Sequence, residues 1–109
     1  MKLKPGARIG TLQPPMVVAL LAAFKAITID RGADLVLTSA QDGRHGRASK
    51  HYLGLAVDLR SKHLHPDDKA EVLAELRNAL GDQFDVLLED LGDNNEHFHI
   101  EFDPKVTHP

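Results

Sequence analysis

The stretch His97-Phe98-His99-Ile100-Glu101-Phe102 alternates polar and apolar residues without a break. Side chains two apart on a β-strand share a face, so Phe98, Ile100 and Phe102 are expected to pack inward while His97, His99 and Glu101 line the opposite side. Such a strand predicts a sheet with one apolar face turned to a core and one polar face lining a cleft. Gly92-Asp93-Asn94-Asn95 reads as the turn that precedes it.

Working outward, Phe84-Asp85-Val86-Leu87-Leu88 reads as a neighbouring strand. Before it, Val72, Leu73, Leu76 and Leu80 form the apolar stripe of a helix that opens at His65-Pro66-Asp67-Asp68 and ends at Gly81. Pro66 suits the first turn, and the two aspartates favour the positive end of the helix dipole. Residues 53–59 alternate weakly and read as a strand carrying Asp58. Asp34-Leu35-Val36-Leu37-Thr38-Ser39 reads as another, joined to it through the basic loop Gln41-Asp42-Gly43-Arg44-His45-Gly46-Arg47. A first helix is expected over 15–31, led in by Pro14-Pro15 and capped at Gly32, after a loose N-terminal arm. The pattern is that of an α+β chain folding as a single domain over residues 1–109, with a small sheet and flanking helices.

Composition narrows the function classes. With 13 basic against 16 acidic residues and a net charge of −3, the chain lacks the electrostatic footprint of a nucleic-acid binder. It contains no cysteine, so any bound metal must be held by nitrogen and oxygen ligands. The apolar run from Met16 to Phe24 is about half the length of a membrane span, reads as a buried helix, and predicts no membrane insertion. The N-terminal residues lack the apolar run of a secretory signal, so synthesis in the cytoplasm is expected. A monomer is expected.

His51 and Asp58, seven residues apart, and His99 much further on, read together as a split zinc site. A catalytic zinc takes three imidazole or carboxylate ligands, keeps a fourth position for water, and needs a base nearby. One zinc per chain is expected, although nickel or cobalt suits the same donors. The strand parity of His99 lets it meet His51 and Asp58 only if their strands are neighbours. Taken singly, each residue has a plainer role: a loop histidine, a strand-end aspartate, a polar strand face.

The segments Ser49-x-His51-x-x-Gly54-x-Ala56-x-Asp58 and Glu96-x-x-His99 resemble the signature of the zinc D-alanyl-D-alanine metallopeptidases. That family includes D,D-carboxypeptidases, D,D-dipeptidases and phage L-alanyl-D-glutamate endolysins, within a superfamily that includes hedgehog signalling domains. The resemblance spans roughly residues 34–103 and implies a small α+β fold with an antiparallel sheet. It implies His51, Asp58 and His99 as zinc ligands and Glu96 as the catalytic base. Strict strand parity puts Glu96 opposite His99, so it reaches the metal only if the strand begins after it or a bulge intervenes. His97 is the rival base, or a donor to the oxyanion. Ser49 is expected to make a supporting hydrogen bond. The family's arginine-bearing upstream segment is not matched, which leaves Arg44 or Arg47 to bind a substrate carboxylate.

The expectation is thus a zinc peptidase acting on peptidoglycan stem peptides at the bacterial cell wall, in the manner of a phage endolysin released by lysis or carried on the particle. D,D-carboxypeptidase action is the alternative on the same scaffold. A non-catalytic zinc-containing binding module is the alternative of another class.

Overall fold

The computed structural model describes residues 1–5, 12–39 and 53–104. Strand β1 is Lys2–Leu3, helix α1 is Pro14–Ala23, and β2 and β3 are Val36–Ser39 and Ala56–Arg60. Helix α2, Pro66–Leu80, separates them from β4, Phe84–Glu89, and β5, His97–Phe102. The five strands form one mixed sheet in the order β1-β2-β3-β5-β4.

The architecture is α+β, as the alternation and the helical stripe imply, but the sheet is not wholly antiparallel. Lys2 and Leu3 pair in parallel with Val36 and Leu37, through Lys2 N–H to the Leu35 carbonyl at 2.7 Å and Lys4 N–H to the Leu37 carbonyl at 2.9 Å. Two residues carry almost no period-2 signal, so this edge strand is absent from a pattern reading. The other three pairings are antiparallel.

One sheet face makes the core. Val57, Leu59, Val86, Phe98 and Ile100 pack there against Met16, Ala19, Ala23 and Ile27 from the first helical segment and Val72 and Leu76 from α2. Leu73 and Leu80 flank that contact, so the predicted stripe of α2 is the buried one. Gly81 closes α2 at φ +75°, a conformation that glycine adopts without the Cβ clash of other residues.

The first helix changes geometry midway. After Ala23 the chain continues as a π-helix over Phe24–Ile29, with Asp30 N–H reaching the Lys25 carbonyl at 2.9 Å. Ala26 and Ile27 are the buried positions of this π-helix and continue the inner face of Met16, Ala19 and Ala23. The apolar run is buried on one face only: Val17, Val18 and Leu21 are 52, 55 and 66% exposed. Arg31 ties the end of this segment to α2, donating to the Glu75 carboxylate at 2.8 Å and to Glu71 at 3.0 Å.

Candidate metal centre

The second sheet face carries the polar residues, and register decides which of them meet. Asp58 of β3 stands opposite His99 of β5, and Arg60 stands opposite His97. On the other flank Glu89 of β4 stands opposite His97 and Leu87 opposite His99. Directly opposed residues have Cβ atoms about 4.5–5.5 Å apart, so Asp58, His97, His99 and Glu89 form one cluster across three strands. The sequence leaves open whether the strands of Asp58 and His99 touch; β5 inserts between β3 and β4 and makes them immediate neighbours.

His99 is the hub. Its Nδ1 is 2.8 Å from Asp58 Oδ1, and its Nε2 is 2.8 Å from Glu101 Oε1. Glu89 Oε1 lies 3.8 Å from the same Nδ1. Burial disfavours a charged ring here, but the Asp58 and Glu101 carboxylates outweigh it and raise the His99 pKa to about 9. His97 is held through Nδ1 to the Asn95 carbonyl at 2.6 Å and through Nε2 to Glu89 at 3.1 Å. Burial opposes its charge too, yet the carbonyl and the Asp58 and Glu89 carboxylates raise its pKa.

Ligand atoms of Asp58, Glu89 and His99 all lie within 4.8 Å of one another, a spacing that could hold a metal ion. The donor set is nitrogen and oxygen only, which suits zinc among other divalent ions. The surroundings suit a cation as well. Asp58, Glu89 and Glu101 surround one imidazole, whose ring proton is the positive charge they gather. Glu89 is absent from the sequence expectation because the predicted strand stops at residue 88 and Leu87 breaks the polar alternation.

Glu96 takes a different place. Strand β5 begins at His97, but the side chain of Glu96 still follows the parity of the inner face and is only 5% exposed. Its carboxylate accepts from Ser61 Oγ at 2.7 Å, Lys69 Nζ at 2.8 Å and the Gly92 N–H at 2.9 Å. Burial works against its charge, but the Gly92 amide, the Lys69 ammonium and the Ser61 hydroxyl prevail and hold the carboxyl near 2. The expected base is therefore committed to an anchor joining α2, the residue that follows β3 and the turn before β5, and it does not contribute to the ligand cluster.

A cleft of about 290 Å³ opens beside the cluster. Among the described residues, Asp58, His97 and Glu96 line it together with Lys4, Thr38, Ser39, Arg60, Lys62, Asn94 and Asn95. His51, Ser49, Arg44 and Arg47 lie outside the described residues. Among the described residues no helix is long and apolar enough to cross a membrane.

Comparison of the chain with protein-family models, with curated proteins and with solved structures finds no match.

Proposed function

We propose that this protein is a zinc-dependent peptidase of peptidoglycan stem peptides, with Asp58 and His99 as ligands on the sheet and His51 as the third. The observation that carries the reading is the 2.8 Å approach of His99 to Asp58 across the β3–β5 ladder. It brings together one residue from each half of the split motif. His51 and the family resemblance enter from the sequence alone.

Bound zinc would supply a water of lowered pKa and a Lewis acid for the scissile carbonyl. The chain's own groups would do the rest. Glu89, on the open side of the cluster, is the carboxylate best placed to accept a proton and return it to the leaving amine. Glu96 reaches that position only by giving up Lys69, Ser61 and Gly92, an exchange Glu89 does not need. His97, with Nδ1 on the Asn95 carbonyl and Nε2 on Glu89, would donate to a developing oxyanion by exchanging its Glu89 contact.

The test is digestion of purified peptidoglycan by zinc-loaded protein, with the new termini identified by mass spectrometry. An exposed L-alanine terminus identifies an endolysin-type endopeptidase, and released D-alanine a D,D-carboxypeptidase. Zinc binding without cleavage of any wall substrate leaves a zinc-containing binding module.

A further inference from the structure

We infer that Glu101 is the positioning residue of the metal centre, holding His99 through Nε2 so that Nδ1 is the ring atom turned to the ion. This role rests on the metal centre of the proposed reading and not on which bond is cleaved. Strand geometry decides what surrounds the ring. His97 and Glu101 lie two residues to either side of it on β5, Asp58 stands across on β3, and Leu87 across on β4. Leu87 cannot hydrogen-bond, and His97 is held by Asn95 and Glu89. Asp58 takes Nδ1 at 2.8 Å and Glu101 takes Nε2, also at 2.8 Å. Across from Glu101 on β3 stands the methyl group of Ala56, which has no polar atom to offer the ring.

A neutral imidazole has one bare nitrogen, which can bind a metal, and one N–H, which needs an acceptor. Asp58 and Glu89 both approach Nδ1, at 2.8 and 3.8 Å, so the remaining ligand atoms gather on that side of the ring. The proton then belongs on Nε2, where the Glu101 carboxylate accepts its hydrogen bond. A carboxylate in that place fixes the rotation and tautomer of the ring and makes the ligating nitrogen more basic. Asp85, opposite Glu101 on β4, and Asp103 bring carboxylate oxygens within 4.8 Å of that of Glu101. Negative charge on this side of the ring favours the proton at Nε2 as well.

Glu101 and Asp85 separate the two ways in which a carboxylate can act here. Both add negative charge beside the metal centre, but Glu101 holds the ring from its own strand while Asp85 faces Glu101 from β4. A general electrostatic effect is shared between them. A positioning effect belongs to Glu101 and reaches further, to which nitrogen of His99 binds the metal.

The experiment is a zinc titration of the full chain, with nitrogen-15 NMR of the histidine rings, in wild type, Glu101→Ala, Glu101→Gln and Asp85→Asn. In the zinc-loaded wild type, His99 is expected to bind through Nδ1 and carry its proton on Nε2. Glu101→Ala should lower zinc affinity by about 10- to 100-fold and let His99 bind through either nitrogen. Glu101→Gln, whose amide oxygen still accepts from Nε2–H, should keep the nitrogen and lose about fivefold, while Asp85→Asn stays within about twofold of wild type. Wild-type affinity in both Glu101 variants, an equal loss in Asp85→Asn, or His99 bound through Nε2 in the wild type overturns the role. Glu101→Gln decides by itself if the alanine variant does not fold. A wild type that binds no zinc removes the metal centre and this role together. The expected zinc results without wall digestion keep the role and remove the peptidase.

Discussion

His99 and Asp58, 41 residues apart in the chain, meet at 2.8 Å because β5 lies beside β3 in a register that sets one opposite the other. The contact is part of the antiparallel ladder, so the pair is pre-positioned by backbone hydrogen bonds and does not depend on loop conformation. Holding ligands on rigid strands is what a metal centre requires. On the proposed reading, His99→Ala, Asp58→Ala or His51→Ala lowers zinc affinity by about 100-fold or more. Metal content of untagged protein, about one zinc per chain in the wild type, checks it.

Glu89 and Glu96 are separable by charge-removing substitutions. On the proposed reading, in which His51 completes the ligand set and Glu89 is the base, Glu89→Gln is expected to retain zinc and lose about 10²- to 10⁴-fold in hydrolysis, the span typical of a general base. Glu96→Gln is expected to act first on stability, since its carboxylate is bound by three donors inside the fold. Full activity in Glu89→Gln together with loss in a well-folded Glu96→Gln would return the base to Glu96.

Lys69 and Glu96 form a largely buried ion pair at 2.8 Å, with side chains 16 and 2% exposed. Lys69→Met removes one partner and strands a buried carboxylate, at a cost of about 3 kcal/mol. The double variant Lys69→Met with Glu96→Gln should recover part of that loss. Urea denaturation of the four proteins measures it.

The same carboxyl sets an acid limb in stability. Glu96 is held near 2 in the fold, below its ordinary value of 4.5. A depressed folded pKa contributes stability that is complete above the unfolded value and disappears as pH falls through the folded one, here between 4.5 and about 2. The contribution is on the order of 2–3 kcal/mol. Thermal melts from pH 6 to pH 2 should therefore fall more steeply for the wild type than for Glu96→Gln.

Phe98 is fully buried at the centre of the sheet, between the cluster face and the helices. Phe98→Ala should cost about 3–5 kcal/mol through lost burial and the cavity left behind. Because His97 and His99 flank it on the same strand, metal affinity should fall with it. Denaturation and zinc titration on the same variant check both effects.

Much of this fold is written in local pattern. The six-residue alternation of β5, the stripe of Val72 and Leu76 with Pro66 and Gly81 at its ends, and the polar face carrying His97, His99 and Glu101 all follow from period and turn chemistry. These are properties of a residue and its near neighbours, so the linear order contains them. Parity is local as well, and it puts Glu96 on the inner face.

Strand order and register are decided elsewhere. Nothing near Asp58 in the chain specifies that β5 inserts between β3 and β4, because that choice is made by burying Phe98 and Ile100 against helices from distant segments. The same long-range packing brings Glu89 to the histidines, sets Arg60 across from His97, and supplies Lys69 and Ser61 to Glu96. The two-residue β1 joins its neighbour in parallel through backbone groups that every residue possesses, and so leaves no trace in side-chain pattern. By itself the sequence determined which residues could share a face; tertiary packing decided which faces meet, because the free energy of that choice lies in contacts far apart along the chain.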